Sequence, residues 1–84
     1  MRILTTPRQR VVLFHGLRLI IPAWARFVAV DTDGSVYAYE HRPVIVDDYE
    51  WRRVTGTYTA VCDVELESGE DWRNLLLEYK DLTV

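Results

Sequence analysis

Phe27-Val28-Ala29-Val30-Asp31-Thr32-Asp33-Gly34-Ser35-Val36-Tyr37-Ala38-Tyr39 is the stretch that decides the fold of this 84-residue chain. Two runs of β-branched and aromatic residues flank a polar turn, and Asp33-Gly34 supplies the positive φ that a tight connection needs. The segment from Arg26 to Glu40 therefore reads as a β-hairpin. Both faces of its first strand are apolar, which places that strand inside a sheet rather than at an edge.

Working outward toward the N-terminus, Val11 to Ile21 reads VVLFHGLRLII. This predicts two short strands joined at His15-Gly16, or one long strand bent there, because Gly16 and the Val-Val and Ile-Ile pairs disfavour a helix. Toward the C-terminus, Val44-Ile45-Val46 is a short strand or an extended connection. Residues 47–53 are too polar for a core strand and read as a surface loop with at most one helical turn. From Thr57 to Leu66 the pattern alternates, with Tyr58, Ala60, Cys62, Val64 and Leu66 on one apolar face. That register predicts a buried, inert Cys62 thiol. Finally, Ser68 is a helix N-cap by type, Asp71 follows three residues on, and Trp72, Leu75, Leu76 and Tyr79 form an i, i+3, i+4, i+7 stripe with Lys80 in the last turn. The expected fold is one small α+β domain over residues 1–84: an antiparallel, hairpin-rich sheet of four to five strands with one C-terminal α-helix packed on it.

Composition limits what such a domain can do. With 49% apolar and 27% charged residues the chain folds, but a chain this short buries only about 60–65% of the surface its unfolded form exposes. A thin core leaves little room for a deep substrate pocket, and the sequence carries no Walker loop, GxGxxG or serine elbow. A non-catalytic protein without a cofactor is expected. A single cysteine cannot form an internal disulfide, which favours a reducing cytoplasm. No segment reaches the roughly 18 uninterrupted apolar residues of a membrane span, so no membrane association is expected.

The formal charge of -3 conceals a division. Residues 1–30 hold five arginines and no carboxylate, whereas residues 31–84 hold all 13 carboxylates against five basic residues. Asp31-x-Asp33-Gly34 with Glu40 overlaps a calcium-loop spacing, but Ala29 stands where that loop needs its first carboxylate, and a hairpin turn explains the same residues. His15, His41 and Cys62 are too widely separated for a zinc motif, so no metal site is expected.

Three contact surfaces remain. Tyr49, Trp51, Arg52 and Arg53 combine the residue types enriched at binding hot spots, and they are the first choice for partner binding. The competing role for Trp51 is to fold back into the thin core. Asp63, Glu65 and Glu67 fall at two-residue spacing, which sets charges roughly 6.5–7 Å apart on a strand, and Glu70 and Asp71 extend the path; this is an acidic face able to mimic nucleic acid. Direct nucleotide or nucleic-acid binding, by a patch of Arg8, Arg10 and Arg18 with Trp24 and by stacking on Tyr37 and Tyr39, whose competing role is in the core, is the third option, disfavoured by the pI of about 5.2. A thin core with an open sheet edge also favours a homodimer.

The run Trp24-Ala25-Arg26-Phe27-Val28-Ala29-Val30-Asp31-Thr32-Asp33-Gly34-Ser35-Val36-Tyr37-Ala38-Tyr39-Glu40, then His41-Arg42-Pro43, Trp51 and Asp71-Trp72-Arg73, resembles a group of small proteins encoded by tailed bacteriophages and prophages. The resemblance implies an accessory protein acting in the cytoplasm of a bacterial host. It implies a partner as well: a host protein that is bound and modulated or inhibited, such as a defence system of the CRISPR type.

Overall fold

The structure, a computed structural model, describes residues 9–48 and 50–79. Among the described residues eight strands form three antiparallel sheets: β1 Gln9–Phe14, β2 Leu17–Pro22, β3 Phe27–Val30, β4 Ser35–Tyr39, β5 Val44–Val46, β6 Glu50–Arg52, β7 Tyr58–Asp63 and β8 Leu76–Glu78. The central sheet runs β7-β4-β3-β8, and the hairpins β1-β2 and β5-β6 are separate two-stranded sheets.

The hairpin that opened the sequence reading is the centre of the molecule. Phe27 pairs with Tyr39 and Val30 with Val36, and the four residues of β3 are all buried. At the turn, the Gly34 N–H donates to the Asp31 carbonyl at 3.0 Å and the Ser35 N–H to the Asp33 carboxylate at 2.9 Å. Gly34 sits at φ 89°, and a Cβ there would run into the Val64 carbonyl. Only glycine satisfies both demands.

At His15-Gly16 the two-strand alternative holds. Both residues have positive φ, 48° and 86°, the geometry of a two-residue hairpin loop that matches strand twist. One face of β1-β2 carries Val12, Phe14, Leu19 and Ile21, which pack against Val28, Val30, Val36 and Ala38 to make the aliphatic core. On the opposite face of the central sheet Phe27, Ala29 and Tyr39 meet Trp51 and Trp72 in a second, aromatic core.

The expected C-terminal helix is absent. Trp72–Asn74 form a single 3₁₀ turn capped by the Asp71 carboxylate, which accepts from the Arg73 N–H, and Leu76–Glu78 then run as β8 beside β3. Gly69, at φ 94°, turns the chain ahead of this point, and Ser68 caps no helix. The physical reason lies in β3, a strand apolar on both faces that needs hydrogen-bonding neighbours on both sides. As a strand, the 75–77 segment meets that need and divides its leucines, Leu75 and Leu77 toward the aliphatic core and Leu76 toward the aromatic one. A helix of about ten residues is marginal in water and would bury only one stripe. The domain is thus nearly all β rather than α+β. Lys80, placed in the expected helix, lies outside the described residues.

Two further expectations are corrected. Asp47 and Asp48 adopt positive φ, 52° and 57°, and Glu50–Arg52 follow as a strand paired with β5 instead of a surface loop. In β7, one extra residue lies between the Tyr37–Ala60 and Val36–Cys62 pairs. Exposure still alternates from Tyr58 to Cys62, but the inner side is the Thr59–Val61 one, with Val61 against the aliphatic core, and Tyr58, Ala60 and Cys62 are exposed: the face expected to be buried is the open one. No helix among the described residues is long and apolar enough to cross a membrane.

Candidate functional site

Alternation along β4 puts Tyr37 and Tyr39 on the aromatic face, and cross-strand pairing brings Tyr58 of β7 beside Tyr39. The rings of Tyr39 and Tyr58 stack with centroids 5.9 Å apart at 12°, and Tyr37 lies 6.4 Å from Tyr39 and 6.2 Å from Tyr58. This tyrosine cluster is the floor of a cleft of about 430 Å³.

The hairpin β5-β6 forms the wall. It is held over the sheet by the Trp51 backbone N–H, which donates to Asp31 Oδ1 at 2.8 Å, and by the Trp51 ring meeting Trp72 edge to face at 6.3 Å. The Tyr39 hydroxyl donates to the Trp51 carbonyl over a long 3.4 Å. Arg52 and Arg53 extend outward along the rim. Arg52 is tied to Glu50 at 2.9 Å, whereas the Arg53 guanidinium lies 5.5 Å from the Tyr58 ring centroid and donates to the Gly56 carbonyl at 2.9 Å.

Partial burial pushes the Asp31 carboxyl above its ordinary pKa, against the lowering effect of the Trp51 N–H, with repulsion from Asp33 and Glu50 adding to the rise. Burial likewise raises the Tyr39 phenol, with the Asp31 carboxylate adding to the effect. The cleft therefore combines the rings of Tyr37, Tyr39, Tyr58 and Trp51 with the guanidiniums of Arg52 and Arg53 and the carboxylates of Asp31 and Glu50.

Of the residues expected to bind a partner, the structure places Arg52 and Arg53 at the rim with exposed side chains. Trp51 takes its competing role: it is 9% exposed, and its Nε1 is buried without a hydrogen-bond partner. Tyr49 lies outside the described residues. Tyr37 and Tyr39 stood out in the sequence only as stacking partners for bases and Asp31 only within the calcium-like spacing, while Tyr58 and Glu50 carried no binding signal. The available signal was the two-residue spacing of Tyr37 and Tyr39, which puts both rings on one face once the strand is assigned.

The acidic set is exposed but is not one strand face. Asp63 ends β7, Glu65 and Glu67 lie beyond it, and Glu70 and Asp71 are engaged locally. Glu70 Oε1 accepts from the Glu67 N–H at 2.8 Å, and Asp71 is paired with Arg73 at 3.5 Å. None of the five lines the cleft. The carboxylates of the calcium-like spacing are also engaged: Asp31 with Trp51, Asp33 with Ser35, and Glu40 with the Thr57 N–H at 2.9 Å. Among the described residues no group of three or more His, Cys, Asp or Glu is placed to hold a metal ion.

No protein-family model matches the chain, and no curated protein or solved structure is significantly similar to it.

Proposed function

We propose that the protein is a non-catalytic binding module that engages a protein partner through the Tyr37–Tyr58–Arg53 cleft. The observation that carries this reading is the composition of the cleft. Tyrosine, tryptophan and arginine, the types that dominate binding hot spots, converge on one concave surface held by a rigid sheet. A volume of about 430 Å³ is enough to seat one or two partner side chains and lies within the range of specific pockets. Tyr58, half exposed, and the outward Arg52 and Arg53 supply contact area, while buried Trp51 and Asp31 hold the wall in place. In the setting implied by the resemblance to phage accessory proteins, the partner is a bacterial host protein whose activity is modulated or inhibited on binding. That partner sits on the sheet face away from β1-β2, which leaves the hairpin for contact with a second copy.

The test is comparative recovery of partners from bacterial lysate by the wild type and by Tyr58→Ala and Arg53→Glu variants, both changed at exposed positions. A partner retained by the wild type and lost from both variants is expected. Equal recovery of every protein by all three would remove the cleft as the binding surface.

A further inference from the structure

The hairpin β1-β2 has a second face. Pairing in the hairpin sets Gln9 opposite Pro22, Val11 opposite Ile20 and Leu13 opposite Arg18, and these three pairs point away from the core. Val11, Leu13 and Ile20 are 62%, 64% and 61% exposed. Three such side chains make an apolar patch of about 300 Å², at the lower end of the range of the largest patches on monomers, which are often functional. The face contains no carboxylate. Among the described residues β1-β2 shares no strand pairing with another sheet; its inner face packs on the aliphatic core, and the outer face carries the exposed apolar side chains.

We infer that this face is a self-association surface, which packs on the same face of a second copy across a twofold axis. The layout of the three rows argues for a second copy. The middle row, Val11 with Ile20, is wholly apolar, and each flanking row carries one apolar and one polar residue or proline. A twofold axis in the plane of the interface, perpendicular to the strands and passing through the middle row, stacks Val11 on Val11 and Ile20 on Ile20. It sets Arg18 over Pro22 and Leu13 over Gln9. The two Arg18 guanidiniums then stand at opposite ends, about 14 Å apart along the strand direction. That exceeds the Debye length of about 10 Å at 0.1 M salt, so the like charges are screened from one another. No charge is buried without an alternative path to water, and the contact closes on itself instead of propagating into a fibre.

The patch supplies the apolar centre of an interface but only part of the ~800 Å² per partner that a standard one covers. The dimer is accordingly weak and concentration-dependent. It uses the opposite side of the central sheet from the cleft, so it stands independently of the proposed partner site.

Sedimentation equilibrium up to millimolar concentration, with charge variants at position 11, tests the geometry. The wild type shows a reversible monomer–dimer equilibrium. Val11→Glu and Val11→Lys each weaken it by about tenfold or more, since like charges then meet at the centre of the contact, and circular dichroism remains unchanged because the position is exposed. Mixing the two variants restores a dimer that weakens with added salt, because position 11 faces position 11. A wild type that stays monomeric throughout, an unaltered dimer in Val11→Glu, or a mixture no tighter than the single variants overturns the proposal. Flotation of monomeric wild type with phosphatidylserine vesicles, lost in Val11→Glu, overturns it in favour of a lipid-facing hairpin.

Discussion

On one side of the central sheet Val28, Val30, Val36 and Ala38 are sealed beneath Phe14, Leu19 and Ile21; on the other, the aromatic residues are covered only in part and a cleft remains. The difference follows from the covering elements. β1 and β2 are six residues each and present Val12, Phe14, Leu19 and Ile21 together on one face that packs closely on the sheet. β5 and β6 are three residues each and contribute Ile45 and Trp51, with Trp72 of the 3₁₀ turn completing the cover. Aliphatic closure serves stability, whereas the half-closed aromatic side exposes rings and guanidiniums and is where binding is proposed.

The largest effect that separates the two sides is expected from Ile21→Ala. Ile21 is fully buried in the aliphatic core, and truncation costs about 2–5 kcal/mol in lost transfer energy and cavity formation. Urea denaturation should show the variant largely unfolded at 25 °C, since a domain of this size has a margin of similar magnitude. Tyr58→Ala on the cleft side removes a half-exposed ring and should cost under about 1 kcal/mol. Equal costs would erase the contrast.

Next in size is Asp31, which fastens β6 to the sheet. Asp31→Ala leaves the part-buried Trp51 N–H without its acceptor, a loss of about 1–3 kcal/mol, whereas Asp31→Asn keeps an oxygen in place. The two also differ in pH dependence. Folded Asp31 binds its proton more tightly than the unfolded chain does, so its contribution to stability is greatest below the ordinary carboxylate pKa of about 4 and declines as pH rises through the raised folded value. Asp33, held low by the Ser35 N–H, acts with the opposite sign: its contribution is present above the ordinary value and lost as pH falls through the lowered one. Comparing the wild type with Asp31→Asn removes only the first term. The stability difference should move in favour of Asn as pH rises from the ordinary carboxylate value of about 4 through the raised folded value, and then level off. A constant difference across that window would show that Asp31 titrates as it does unfolded.

Trp51→Phe is expected to be smaller still. It keeps a ring against Trp72 and deletes the buried indole N–H that has no partner, so the loss of packing area is offset by removal of an unsatisfied donor. A change within about 1 kcal/mol is expected by thermal denaturation. A loss as large as that of Ile21→Ala would place Trp51 in a core as tightly closed as the aliphatic one.

Much of this architecture was legible from local chemistry. The β3-β4 hairpin was readable because Asp33-Gly34 and two flanking apolar runs state the same answer, and β1-β2 because His15-Gly16 interrupts a β-branched run. The C-terminal segment misled because Trp72, Leu75, Leu76 and Tyr79 satisfy a helical stripe while Leu75, Leu76 and Leu77 equally suit a strand buried on both faces. What decided between them was the unfilled edge of β3, which is a tertiary demand and leaves no mark within residues 68–80 themselves. The cleft was half legible for the same reason. Arg52 and Arg53 stand out by type, but Tyr58 and Asp31 join them only through strand register and a hydrogen bond spanning 20 residues.

The smallest expected effect concerns the strand on which register was misread. β7 turns Thr59 and Val61 inward, Val61 onto the aliphatic core, and carries Tyr58, Ala60 and Cys62 on its exposed side, the reverse of the face expected to be buried. Exposure alone would make this thiol as reactive as a free one. Partial desolvation and the adjacent Asp63 carboxylate raise its pKa, however, and the thiolate is the form that reacts. Iodoacetamide at neutral pH should therefore alkylate folded Cys62 to completion but a few-fold more slowly than the same chain unfolded in urea. Asp63→Asn should recover only the smaller, electrostatic part of that slowing, because desolvation is the larger cause. Complete protection would return Cys62 to the core and make the Tyr58–Ala60–Cys62 side of β7 the buried one. Equal rates in the folded and unfolded chains would mean that the thiol stands fully in water.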